Sequence, residues 1–204
     1  MEGKEIVFVL GGPGSGKGTQ ALTISKEHGI GYLSTGDLLR AATAPLPEGV
    51  EDQRSEKEKQ TIEELKKTMQ NGQLVPDEIV IDLVEKELKG QNAKYFFLDG
   101  FPRSLSQAQK FTEQIGPCKG VLFLDVPDEE LTKRLLNRGL TSGRSDDNEE
   151  SIKKRLVTYH QISVPVIEYY EPKGKVIRID GSKGISDVHD EIISVLRSKL
   201  NWQI

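Results

Sequence analysis

The chain has one cysteine, Cys118. A single thiol cannot form an intramolecular disulfide, and a cysteine-rich zinc cluster is equally excluded, so a reducing compartment is the natural setting. Long apolar runs are missing too. The run Ile6-Val7-Phe8-Val9-Leu10 ends at glycines, too short for a signal peptide and far below the ~20 apolar residues that span a bilayer. The expected location is therefore cytoplasmic, with no membrane partner. Positive charge is not in excess: 28 Lys and Arg stand against 32 Asp and Glu, a formal net charge of -4. Broad nucleic-acid binding needs a basic surface, so nucleic acid is not an expected partner. No internal repeat or low-complexity tail is present. Any phosphate site must be a local concentration of cations in an acidic protein.

What remains is an ordinary composition, 35% hydrophobic and 29% charged over 204 residues, enough for one domain with a real core. Short apolar runs alternate with helical patterns. Residues 6–10, 95–98, 121–124 and 176–179 read as strands, with Gly31-Tyr32-Leu33-Ser34 a weaker fifth. The first and third are apolar without strict alternation, as in strands covered on both faces of a parallel sheet. The fold class is therefore α/β, with right-handed crossovers. In the last segment Ile185, Val188, Ile192, Leu196 and Leu200 recur at helical spacing and should face the sheet. Asp77 after Pro76 reads as a helix N-cap, and Asp147 with Glu150 as another. Pro165 should kink or break the helix that follows. The charge-dense stretch 51–67 reads as a solvated helix.

Gly11-Gly12-Pro13-Gly14-Ser15-Gly16-Lys17-Gly18-Thr19 follows the first strand and opens a helix. Gly11, four residues, then Gly16-Lys17 is P-loop spacing. Glycines let successive backbone N–H groups turn inward around phosphate oxygens, the helix N-terminus adds its dipole, and Lys17 supplies a full charge. One position departs from the general pattern. Gly18 stands where Ser or Thr would ligate magnesium, so no direct protein ligand to the metal is expected; phosphates and water should hold the Mg²⁺ that accompanies ATP.

Phosphoryl transfer is mostly positioning and charge stabilisation, and two anionic substrates must have their mutual repulsion cancelled. Arginine suits this because its planar fork binds phosphate bidentately and stays charged. Four of the chain's nine arginines, Arg134, Arg138, Arg144 and Arg155, surround a polar glycine-containing loop. Arg134 and Arg138 share a helix face, where they repel unless an anion intervenes. The alternative is that they are surface arginines paired with Asp146, Asp147, Glu149 and Glu150.

At this point the sequence resembles the adenylate kinase family of nucleoside monophosphate kinases. The resemblance covers nearly the whole chain. It is carried by residues 11–20, Leu33-Ser34-Thr35-Gly36-Asp37-Leu38-Leu39-Arg40, Gly72-Gln73-Leu74-Val75-Pro76, Leu98-Asp99-Gly100-Phe101-Pro102-Arg103 and residues 141–155, all in family order. It implies a P-loop NTPase three-layer fold: a five-stranded parallel sheet with helices on both faces, within one domain spanning 1–204. A helical monophosphate-binding segment at 34–76 and a short lid at 138–148 would be inserted into it. The long-lid members' metal-binding insertion has no counterpart here. The stretch between Arg40 and Gly72, with Pro45 and Pro47, is longer than is usual in the family.

Roles follow from the resemblance. Gly14, Ser15, Gly16, Lys17, Gly18, Thr19 and Arg138 would hold ATP, with Lys183 and Gly184 beside its adenine. Thr35, Arg40, Gly72, Gln73, Leu74, Val75, Gly100, Phe101, Pro102, Arg103 and Gln107 would form the AMP site, joined by Arg144 and Arg155. Lys17, Arg103, Arg134, Arg138, Arg144 and Arg155 would surround the transferring group. Asp99 would orient magnesium-bound water; otherwise it is a capping carboxylate. The partners implied are ATP, AMP and ADP, with a monomeric enzyme.

Two positions bear on the acceptor. Related UMP/CMP kinases usually have alanine at the Thr35 position and tend to have asparagine at the Gln107 position. The implied reaction is thus reversible transfer from MgATP to AMP giving two ADP, with UMP or CMP as the alternative acceptor. Gln107 also stands in the Ser-x-x-Gln spacing of a capping box, which would turn it back to the chain. A non-catalytic nucleotide-binding module is the alternative from another class.

Overall fold

A computed structural model describes residues 3–71, 73–142 and 147–204. Five parallel strands, β1 (Glu5–Gly11), β2 (Gly31–Ser34), β3 (Tyr95–Asp99), β4 (Gly120–Asp125) and β5 (Val176–Asp180), lie in the order β2-β3-β1-β4-β5. All five expected strands are present. Their side chains alternate between two cores. Phe8, Leu98 and Phe123 point to one, Val9, Phe97 and Leu124 to the other. Burial on both faces is why these runs lack an apolar–polar alternation.

Helices cover both faces. α1 (Lys17–His28) and α9 (Ile185–Leu200) pack on one, through Ala21, Ile24, Val188, Ile192 and Leu196. The other carries α2 (Thr35–Ala42), α4 (Asp77–Gly90), α5 (Leu105–Gln114) and α8 (Val164–Tyr170), through Leu39, Val84, Leu88, Phe111 and Val166. Each fully buried aliphatic or aromatic side chain contributes about 1.5–3 kcal/mol. Exposed ion pairs contribute about 0–1 kcal/mol. The two cores therefore hold the sheet, and the cations at its carboxyl edge serve another purpose.

Three local expectations need correction. α4 has Pro76 as its N-cap, and Asp77 is the first helical residue; the restricted φ of proline, -50° here, places the chain turn one residue earlier. Asn148, not Asp147, caps α7 (Glu149–Thr158), accepting from the Ser151 N–H through its side chain. Ile185 is 72% exposed, because it opens α9 beyond the sheet edge. The charge-dense stretch does form a helix, α3 (Glu56–Gln70), closed by a Ser55–Glu58 capping box and burying only Leu65. Pro165 acts as expected: α7 stops, a π-turn (Tyr159–Ser163) follows, and α8 begins with the proline in its first turn.

The chain leaves β1 through α1 toward β2, and leaves β4 through α6 (Asp128–Gly139) toward β5 on the opposite side. Ligands of open α/β sheets bind in the crevice at the carboxyl ends of such diverging strands. No helix among the described residues is long and apolar enough to cross a membrane.

Candidate active site

A cavity of about 840 Å³ occupies that crevice, within the range of small-molecule sites. The loop from β1 to α1 forms its floor. Gly16, the N-cap of α1, sits at φ 92°, a left-handed conformation that a side chain would strain. The backbone N–H groups of Gly14, Gly16, Lys17, Gly18 and Thr19 have no hydrogen-bond partner among the described residues. Such orphan donors at a helix N-terminus form an anion cradle. Lys17 Nζ folds over it, donating to the carbonyls of Gly11 (2.9 Å) and Gly12 (2.7 Å) and to Ser15 Oγ (3.2 Å).

Lys17 lies in a perturbed environment. Burial lowers its pKa to about 8; Asp99 opposes this, while Arg103, Arg155 and Arg138 push the same way. Burial and three neighbouring guanidinium groups oppose the lysine's charge, and an anion in the cradle would favour it. Asp99, at the end of β3, is 9% exposed. Burial raises its pKa against the attraction of Lys17, the bond from Tyr32 and the charge of Arg103. Its Oδ2 accepts from the Tyr32 hydroxyl at 2.9 Å, whereas its Oδ1 is buried without a partner.

The departure at Gly18 now has a physical reason. A Cβ there would lie 3.3 Å from Asp99 Oδ2 and 3.4 Å from the Tyr32 hydroxyl. The missing side chain makes room for the carboxylate. No group of three His, Cys, Asp or Glu side chains among the described residues could bind a metal directly. The orphaned Oδ1 instead fits the water shell of a Mg²⁺ brought in on phosphates, since Mg²⁺ keeps several waters.

The predicted arginines divide by how they are held. Arg40, Arg103, Arg134, Arg138 and Arg155 all line the large cavity. Arg134 donates to Glu130 (2.8 Å) and to the Gly181 carbonyl (3.0 Å), tying α6 to the loop after β5. Arg138 grips Asp147 with two 2.7 Å bonds, and Arg155 reaches the same carboxylate at 3.2 Å. The expected Arg134–Arg138 repulsion is thus relieved by the protein's own carboxylates, Glu130 and Asp147. The ion-pair alternative holds for Arg138 and Arg155, yet both still face the cavity. Arg144 and Gly72 lie outside the described residues.

The other predicted residues fall into two groups. Gly14, Ser15, Gly16, Gly18, Thr19, Lys183 and Gly184 line the large cavity, as do Gly100 and Pro102. A smaller cavity of about 100 Å³ shares Arg40, Leu74, Gly100, Arg103 and Arg155 with it and adds Thr35, Gln73, Val75 and Gln107. Phe101 lines neither. Its side chain is fully buried, edge-on to Phe8 at 5.7 Å, and belongs to the core. Gln107 does turn back to the chain, as the capping-box alternative expects, but one residue early: Ser104 Oγ accepts from its N–H (3.2 Å), and its Oε1 accepts from the Arg103 N–H (2.8 Å) and not from that of the cap, Ser104. Gln107 also lines the smaller cavity.

Three participants have roles that sequence reasoning did not assign. Tyr32 lies in the weakest strand, Asp147 looked like a cap, and Gln20 reaches the Ile185 carbonyl (2.8 Å) across 165 positions. Only packing brings their partners to them. Asp147 has a side chain with no exposed surface, and burial works against its charge. The Arg138 bonds, the charges of Arg138 and Arg155, and the Ser142 hydroxyl outweigh it, so its pKa is lowered. A lowered carboxylate stabilises the fold fully above its unfolded value of about 4 and loses that contribution as pH falls through the folded value. Asp147→Ala should therefore destabilise the chain at pH 7 by about 2 kcal/mol, and the difference should shrink toward pH 3. Chemical denaturation at both pH values checks this; an equal deficit at both refutes the electrostatic origin.

The adenylate kinase family model matches residues 9–175. Over 198 residues the chain is 43% identical to adenylate kinase isoenzyme 1 of Caenorhabditis elegans, covering 95% of this chain and 88% of the relative. It is 41% identical over 198 residues to uridylate kinase of Saccharomyces cerevisiae, covering 96% and 92%. Against UMP-CMP kinase of Lentinula edodes the identity is 40% over 208 residues, covering 96% and 87%. With the P-loop, the sheet order and these matches together, the chain belongs to the adenylate kinase family.

Proposed function

We propose that the chain transfers the γ-phosphoryl group of MgATP reversibly to AMP, giving two ADP. The observation that carries this reading is the meeting of the anion cradle, Lys17 and five described arginines on one cavity. A chain that only binds or hydrolyses a nucleoside triphosphate has no use for a second cationic cavity beside the first.

In this reading Gly14, Ser15, Gly16, Lys17, Gly18 and Thr19 hold the ATP phosphates, with Arg138 beside them and Lys183 and Gly184 near the base. Arg40, Arg103 and Arg155 hold the monophosphate, whose oxygen attacks the γ-phosphorus while the bond to the β-phosphate oxygen breaks. Negative charge spreads over the equatorial oxygens and the leaving oxygen, and Lys17, Arg103, Arg138 and Arg155 offset it. Arg134, held by Glu130 and Gly181, keeps α6 in place, and Arg144 would join from the lid. Mg²⁺ on the nucleotide neutralises β- and γ-phosphate charge; Asp99 Oδ1 accepts from its water shell. Segment 34–76 would serve as the monophosphate arm and 138–148 as the lid; Gly72 of the first and residues 143–146 of the second lie outside the described residues.

Relatives named for adenylate and for pyrimidine nucleotides lie at similar identity, so the choice of base rests on the acceptor cavity. Thr35 lines that cavity, and its Oγ1, which donates to the Gly100 carbonyl (3.1 Å), keeps acceptor capacity. Gln107 presents an amide donor and keeps a second lone pair on Oε1. A donor beside an acceptor matches the N1 and N6 edge of adenine, and the N3 and N4 edge of cytosine as well; uracil offers a carbonyl where the acceptor sits. In a coupled assay with MgATP and AMP, UMP, CMP or GMP, AMP should exceed each other acceptor in kcat/KM at least about tenfold. Preference for UMP would refute the adenine reading, and transfer to none would refute the transferase.

A further inference from the structure

The π-turn between α7 and α8 stands beside the arginines. It closes with the Val164 N–H on the Tyr159 carbonyl, an i to i+5 bond. Pro165 accounts for it: without an N–H it cannot continue the α-helical ladder. π-turns concentrate at functional sites, and here the effect is rotational. In an unbroken α-helix the eight residues from Arg155 to Ser163 leave the two side chains roughly 80° apart. The wider turn takes up that rotation. Arg155, Tyr159, Ser163 and Ile167 consequently all line the large cavity.

Ser163 Oγ donates to the Arg103 carbonyl at 3.1 Å, across 60 positions. The Arg103 N–H donates to Gln107 Oε1 (2.8 Å), and the Arg103 Nε donates to the Gly100 carbonyl (2.8 Å). Arg103 is thus anchored from α5 on one side and from the π-turn on the other. The π-turn is continuous with the helix that bears Arg155.

We propose that Ser163 is a positioning residue: its bond to the Arg103 carbonyl sets the separation of Arg103 and Arg155, so that both guanidinium groups reach one transferring phosphoryl group together. The proposal rests on the phosphoryl-transfer reading above. Ser163 touches no reacting atom in this scheme.

Ser163→Ala and Ser163→Thr in the full chain test it. Ala should lower kcat about five- to tenfold, leave KM for MgATP within about twofold, and leave the melting temperature unchanged. Thr, which keeps the hydroxyl, should restore kcat. The ¹³C carbonyl resonance of Arg103 should shift in Ala and return in Thr. Wild-type kcat in the Ala variant, a Thr variant as slow as Ala, or an unmoved Arg103 resonance would overturn the link. A wild-type chain that transfers phosphate to no nucleoside monophosphate would overturn the underlying reading instead, whatever the resonance does.

Discussion

Lys17→Met should lower kcat/KM for phosphoryl transfer about a thousandfold, equivalent to about 4 kcal/mol of transition-state stabilisation. The ammonium is a point charge seated on the anion cradle, and it lies where burial makes a charge count most. Methionine fills similar space without the charge. The fold should survive, since among the described residues Lys17 Nζ bonds to loop carbonyls and to Ser15 Oγ, and removing a desolvated amine relieves burial. Steady-state kinetics beside a thermal melt check both halves; activity within tenfold of wild type would reject the assignment.

A proton measurement tests the same site without turnover. In the free chain Lys17 has its pKa lowered to about 8 by burial, so at pH 8.5 a large share is neutral. A polyphosphate in the cradle favours the charged form and raises that pKa. Nucleotide binding at pH 8.5 should therefore take up protons, visible as a buffer-dependent heat in Tris against a buffer of lower ionisation enthalpy. Lys17→Met should lose that component. Buffer-independent heats in the wild type would refute it.

Arg103→Ala should cost about a hundred- to thousandfold in kcat/KM, within reach of what a single transition-state arginine supplies. Arg103 lines both cavities, so its loss should raise KM for the monophosphate as well as lower kcat. Arg103→Lys should recover only part, because an ammonium cannot bind phosphate bidentately. Kinetics in forward and reverse directions check the pattern; a rise in KM with kcat unchanged would reduce Arg103 to a binding group.

Local patterning carried much of this. The strands at 6–10, 95–98 and 121–124 are legible because burial on both faces demands continuous apolar residues. The cradle is legible because a phosphate loop needs glycines and a lysine at adjacent positions in one segment. Phe101 shows the limit: a residue inside a functional motif was instead claimed by the core, since its ring meets Phe8 and Phe111. Asp77 and Asp147 show another. Both carry capping chemistry, but Pro76 took one cap and the Arg138 and Arg155 charges took Asp147 from the other.

The sequence by itself determined the fold class, the phosphate loop and the set of cations, because each is written in contiguous residues whose local physics has few alternatives. Only the tertiary structure decided how they meet. Lys17, Asp99, Tyr32, Arg103 and Asp147 come from separate segments, and their charges acquire meaning through burial and mutual distance. Those quantities exist only once the sheet order has placed the carboxyl ends of β1, β3 and β4 side by side.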